Sequence, residues 1–265
     1  MISGPAALSP AQTLTLQSLT RWTAFGIHLA ISALLAATIV VLVVLVWYPE
    51  PYFYGMGGEI LLRLLIGVDV VIGPVITLII FDPAKPRLKY DLATIAVLQL
   101  AALAYGGWVM FESRPVYNVF VKDRFETVPA AGVDRGSLAK AQPQYRPLPL
   151  AGPRVVAAEQ PSDPDEQASI TLSATAGGAD LANLPHLYIP YAQAAAKAAQ
   201  AARPLVQLAQ RGRESAMVVS DFVTAHGNGS RSLGYVPVRA RNRDFAAVVD
   251  RKTGEIVGYL ELNPW

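Results

Sequence analysis

Hydrophobic positions follow two regimes along this chain. Before residue 112 they form three nearly unbroken runs, Ala24 to Trp47, Ile60 to Phe81 and Leu92 to Phe111. Each reaches the roughly 20 apolar residues that a helix needs to cross the hydrocarbon of a bilayer. After Arg114 the apolar positions come in short groups separated by turn residues, as in a water-soluble domain. The expected fold is therefore three transmembrane helices followed by a carboxy-terminal α+β domain with an antiparallel sheet. The boundaries fall at an amino-terminal segment 1–23, a three-helix region 24–115 and a soluble domain 116–265.

Within the second region, "RPVYNVFVKDRFETV" is rich in β-branched and aromatic residues and reads as one strand leaving the membrane surface. The Pro-rich passage from Pro129 to Gln160 reads as an extended connection that ends in a strand, "RVVAAEQ". "SDPDEQASITLSATAGG" carries helix punctuation: Asp163 to cap, Pro164 at the first position, Glu166 to reach back and Gly177 to stop. "YAQAAAKAAQAARPLVQLAQRG" predicts one helix bent at Pro204, and "ESAMVVSDFVTAHG" a shorter one. "LGYVPVRAR", "DFAAVVD" and "EIVGYLEL" alternate and predict a three-stranded antiparallel meander.

Composition sharpens this picture. Hydrophobic residues make up 52% of the 265 and charged residues only 16%, which is apolar for a soluble protein. The absence of cysteine removes disulfides, thiolate metal sites and cysteine nucleophiles. Charge is balanced at a net +2, which gives no basis for nucleic-acid binding. Its placement matters more. Lys85, Arg87 and Lys89 lie between the second and third runs, whereas "YPEPYFYGMGGE" between the first and second has no basic residue. Short basic loops stay in the cytoplasm, so the amino terminus is expected inside and the long carboxy-terminal region outside the cytoplasm, which in a Gram-negative cell means the periplasm. The first run is longer than a signal-peptide core and lacks a strong basic flank and a convincing cleavage site, so it is read as a retained anchor. Trp22, Trp47, Tyr48, Tyr52, Phe53, Tyr54, Trp108 and Phe111 gather at the run ends, as interface anchors do.

Candidate chemistry is sparse. Asp69 falls near the middle of the second run, where a charge costs at least ~3 kcal/mol, and Gly73-Pro74 disturbs the helix just after it. It is expected to face protein, with Tyr105 and Thr38 at its level and Gln99 and Ser32 in a second polar layer. Arg63, six residues away, points elsewhere round the helix. Asp69 could glue the bundle through Tyr105 or freed backbone, meet a polar group on a partner's helix, or belong to an ion path; His28 reads as an interfacial or packing histidine. "RARNR" puts Arg239, Arg241 and Arg243 on one face of a strand, as solvated surface or as a contact for lipid headgroups or an acidic partner. Ser220, Asp221 and His226 could be drawn as a triad, but these types meet often by chance, and no metal, phosphate-loop or hydrolase motif accompanies them. No enzyme activity and no cofactor are expected.

Five stretches in order, "GVDVVIGPVITLIIF", "LKYDLATIAVLQLAALAYG", "RPVYNVFVKDRFE", "LPHLYIPYAQAAAKAA" and "YVPVRARNRDFAAVVDRKTGEIVGYLELNPW", resemble the type IV pilin accessory proteins of the TfpX/TfpZ type, also called FimB-like. The match runs from about Arg21 to Trp265; the alanine-rich passage around Gln193 to Ala202 is its main departure. The resemblance implies a non-enzymatic inner-membrane protein that assists a type IV pilin in pilus assembly or dynamics, and hence twitching motility. It supplies no catalytic residues. Asp69, Gly73, Pro74 and Tyr105 are then candidates to contact the pilin's helix, and Arg239, Arg241 and Arg243 its soluble head. A membrane-tethered sensor with a ligand pocket, or an anchored enzyme, are the competing classes.

Overall fold

The structure is a computed structural model that describes residues 19–227 and 232–265. Most of the amino-terminal segment 1–23 therefore lies outside the described residues. Three helices are long and apolar enough to cross a membrane: α1 (Arg21–Trp47), α2 (Gly58–Ile80) and α3 (Leu88–Ser113). Two of them depart from α geometry. The end of α1, Val43–Trp47, and the middle of α2, Gly67–Ile72, are π turns. The helices turn much of their apolar surface outward, including Leu34, Leu64, Ile79 and Leu98. Trp22 and Trp108 are exposed among them.

The chain divides into two compact units that do not follow the sequence boundary at residue 115. Among the described residues, one comprises those up to Thr38 with Leu64–Tyr105; the other comprises Ile39–Arg63 with Gly106–Trp265. The first is a helical bundle. In the second, parts of all three helices belong with the carboxy-terminal domain.

That domain contains an eight-stranded sheet. Strand β1 (Pro115–Val121) is followed by β2 (Arg124–Pro129), β3 (Arg154–Ala158), β4 (Tyr188–Pro190), β5 (Arg203–Pro204), β6 (Leu233–Arg239), β7 (Phe245–Asp250) and β8 (Ile256–Leu260). The order is β4-β3-β1-β2-β6-β7-β8, with β5 also paired to β6. The expected antiparallel sheet is corrected to a mixed one, because β1 pairs β3 and β2 pairs β6 in parallel. The expected β6-β7-β8 meander is present and antiparallel.

The expected single strand after the third helix is a hairpin. Lys122 takes a left-handed φ of 56° and the chain folds back, pairing Val121 with Arg124. Sequence periodicity conceals this because β1 is buried at every position, and a strand covered on both faces loses its alternation. The Pro-rich connection is also more structured than expected: it holds helix α4 (Arg135–Lys140), capped by Asp134, and a buried Tyr145 that accepts a hydrogen bond from Tyr117 at its carbonyl. Helix α5 (Pro164–Thr175) starts at its Asp163 cap as expected, but Glu166 turns to His186 instead of back to the cap.

The alanine-rich segment is two helices. Helix α6 (Tyr191–Ala201) stops before Pro204, whose ring disfavours helical geometry at Arg203. Arg203 and Pro204 instead pair with Tyr235 and Gly234 of β6, and the chain resumes in α7 (Val206–Ala209) and α8 (Arg213–His226). Leu205, Leu208 and Val219 from this region pack with Tyr235, Ala246, Val248 and Leu260 in one core. A second core joins Val116, Tyr117, Val119, Val128, Val156 and Tyr188.

Candidate partner-binding surfaces

Within the helical unit, Asp69 lies inside the π turn and is 7% exposed. Gly73 N–H bonds to Val68 O, five residues back. In that register the next N–H would bond to Asp69 O, but residue 74 is proline and has none. Gln99 fills the gap: its Nε2 donates to Asp69 O at 3.3 Å and to Oδ1 at 3.4 Å. Gly73 makes room, since a Cβ there would collide with the Gln99 amide. Asp69 Oδ2 is buried without a protein partner.

Of the two bonds expected of an Asp69 that glues the bundle, to Tyr105 or to freed backbone, the one to Tyr105 is corrected: the donor that reaches Asp69 is Gln99, and Tyr105 is an exposed residue. The reason is a boundary. Helix α3 starts at Leu88, four residues before the apolar run, so Gln99 lies eleven residues in from that end, as Asp69 lies eleven residues from Ile80. Further along the bundle, His28 Nδ1 and Thr77 Oγ1 are 2.7 Å apart, and Ser32 is buried. The interior of an otherwise apolar bundle thus carries a line of polar groups that fixes which faces meet.

In the second unit, the segment between α1 and α2 is built into the sheet domain. Tyr48 is fully buried and its hydroxyl donates to Met110 O at 2.7 Å. Tyr52 sits edge-on to Phe245 and Tyr259, with ring centroids 5.3 and 5.7 Å away, and shares a 3.1 Å hydrogen bond with the Tyr259 hydroxyl. Burial raises the pKa of Tyr48 and Tyr52 well above the usual phenol range. Gly55 O accepts from both Asn242 N and Arg243 N, Gly152 N donates to Val46 O, and Arg114 donates from Nε to Pro149 O and from Nη1 to Phe111 O. The guanidinium of Arg114 also lies 3.6 Å from the centre of the Phe111 ring. Burial lowers its pKa, the opposite of what Glu112 nearby would do. Tyr48 and Tyr52 are thus core residues, not the interface anchors that their position at a run end predicts. Nothing in a local pattern separates the two roles. A hint exists in Arg114, a lone arginine at the junction between apolar run and strand.

The three arginines do not share a strand face. Strand β6 ends at Arg239, because Ala240 N is captured by Asp244 Oδ1 at 2.8 Å and the chain turns. Arg239 lies 3.9 Å from Glu126, while Arg243 lies 3.6 Å from Glu59 and over the Tyr54 ring. Glu59 also holds Arg63 at 2.9 Å, so Arg63 turns away from Asp69 as expected. Arg241 is exposed and has no anionic partner among the described residues. Glu126 is partly buried; desolvation raises its pKa although Arg239 and Arg124 pull the other way.

The Ser220–Asp221–His226 grouping is not a triad. His226 stacks on Phe222 and lies 3.1 Å from Phe222 O. Another trio does meet: Ser137 Oγ lies 2.6 Å from His186 Nδ1, and His186 Nε2 lies 3.1 Å from Glu166. Ser137 is buried and its oxygen also accepts from His186 N–H, so both of its contacts tie the 185–187 turn to α4. That is a structural knot. Among the described residues no group of three or more histidine, aspartate and glutamate side chains could hold a metal ion.

A bundle of three apolar helices with a polar interior, together with a mixed α+β domain whose core takes in the segment between the first two helices, is the class that fold and sites define. The comparisons give that class a family. The model of the fimbrial assembly protein FimB matches residues 17–57. A fimbrial assembly protein of serogroup I from Dichelobacter nodosus is 31% identical over 231 residues, covering 85% of this chain and 89% of the relative. One of serogroup E1 from the same organism is 34% identical over 185 residues, covering 69% and 71%. The chain belongs to the FimB family of fimbrial assembly proteins. No solved structure matches it.

Proposed function

We propose that this chain is a non-enzymatic accessory protein of a bacterial inner membrane that assists a type IV pilin during pilus assembly or pilus dynamics, including twitching motility. The three helices cross the membrane with the basic loop Lys85–Lys89 in the cytoplasm, and the sheet domain lies in the periplasm. The observation that carries the reading is the likeness over 85% of the chain to a fimbrial assembly protein. A pilin held in the same membrane would have both an apolar helix and a soluble head, and this chain offers a surface for each. The outward face of α3 around Tyr105 meets the first, and the turn from Arg239 to Arg243 meets the second; Gly73 and Pro74 are buried and shape α2 from within. Asp69 acts from behind that surface, since it is buried and accepts from Gln99 of α3.

Photocrosslinkers at Tyr105 and at Arg241, in cells that make pili, test both contacts. Pilin adducts at both positions are expected, and Arg241→Glu should reduce surface pili at least fivefold while the protein's abundance stays the same. The turn itself should survive, because Asn242 N and Arg243 N hold it through backbone bonds to Gly55 O. Adducts to no pilus component at either site would refute the partner assignment.

A further inference from the structure

Within the helical unit, a groove of about 320 Å³ opens between all three helices near the 81–88 turn. Its lining is almost entirely apolar, with Ala24, Ile31, Phe81 and Ile95 among the walls and the His28–Thr77 pair as its polar feature. Leu88 packs with Ala24 and Phe81 at this end of the bundle. The residues on either side of Leu88 are Arg87 and Lys89, both exposed, and Arg21 is exposed at the start of α1, three residues before Ala24. Lys85 is neutralised by Asp91. Arg21, Arg87 and Lys89 have no anionic partner among the described residues.

We propose that this groove is a binding site for one anionic glycerophospholipid, with an acyl chain between the helices and its phosphate at Arg87, Lys89 and Arg21. The inference rests on the membrane reading above. Two features on opposite sides of the interface agree. An apolar cleft in a membrane bundle has to be filled by a chain or a helix, and exposed cations next in sequence to this end of the bundle, Arg21 before Ala24 and Arg87 and Lys89 beside Leu88, favour an occupant with a negative headgroup. A partner helix would satisfy the cleft and leave three cations unmatched. Basic clusters on this side of a bilayer attract anionic lipid at about 1 kcal/mol per cation, roughly fivefold in affinity for each.

The test uses the full chain purified in mild detergent, with phosphatidylglycerol and phosphatidylcholine added in equal amounts and retained lipid read by native mass spectrometry. One phosphatidylglycerol per chain is expected, at least fivefold over phosphatidylcholine. Arg87→Gln with Lys89→Gln should lose that preference, and Ala96→Phe, which fills the groove, should reduce retention of both lipids. Equal retention of the two lipids, or phosphatidylglycerol retention unchanged by both sets of substitutions, would overturn the site. The chain has no cysteine, so Ala96→Cys can be oxidised in native membranes without background. A disulfide-linked dimer would assign the groove to a second copy and also overturn the proposal. Recovery of the chain in the soluble fraction after alkaline washing would sink the membrane reading itself, whereas the other failures, in a chain that stays with membranes, sink the lipid site alone.

Discussion

Gly73→Ala and Gln99→Ala are expected to destabilise the helical unit by similar amounts, about 1–3 kcal/mol each, because both leave Asp69 without its protein donor. The two routes differ. Gln99→Ala removes the amide, while a methyl at Gly73 takes the space the amide needs and drives it aside. Since the same hydrogen bonds are lost either way, the double variant should be no worse than the worse single, a coupling of the size of one single effect. Asp69→Leu should cost less than either, because it removes the buried polar group that the other two variants leave stranded. Thermal unfolding of the full chain in detergent measures all four. Additive losses in the double variant would show that Gly73 and Gln99 act separately and that the packing described for the π turn is wrong.

Tyr52→Ala should have the largest single effect on the second unit. It empties the space between Phe245 and Tyr259 and removes a ring that is 4% exposed; truncation of a buried aromatic costs about 3–5 kcal/mol. For a domain of this size that lowers the unfolding midpoint by on the order of 10 °C. Tyr52→Phe keeps the ring and loses one hydroxyl contact, so it should stay within about 1 kcal/mol of wild type. If Tyr52 were instead an interface anchor in lipid, both substitutions would leave the domain's midpoint unchanged. That outcome would separate the segment from the sheet domain and return it to its first reading.

These two sites also show what a single sequence can carry. The three apolar helices were legible because their runs need no context, and so were α5, whose Asp163 cap and Pro164 are local signals, and the β6-β7-β8 meander, which alternates. The first hairpin was not, because β1 is buried on both faces and Lys122 occupies a turn position that glycine or asparagine usually marks. Parallel pairing joins residues far apart in the chain, and periodicity is silent on it. The importance of Asp69 was visible in the cost of a carboxylate among apolar residues, but its donor was not. Placing Gln99 at that level depended on where α3 begins, and four residues of helix start moved the partner from Tyr105 to Gln99. The arginine turn was misplaced for a similar reason: Asp244, capturing Ala240 N, ends the strand before the alternation runs out.

The proposed function requires the two ends of the third helix to lie on opposite sides of a membrane, and single cysteines test that placement directly. Ala84→Cys in the basic loop and Ser169→Cys on α5 both occupy exposed positions in a chain with no cysteine of its own. In intact cells with a permeabilised outer membrane, a maleimide that cannot cross the inner membrane should label Ser169→Cys and spare Ala84→Cys until the inner membrane is opened. Labelling of Ala84→Cys alone in intact cells, or of both, would contradict the layout and with it the proposed meeting with a pilin in lipid and periplasm.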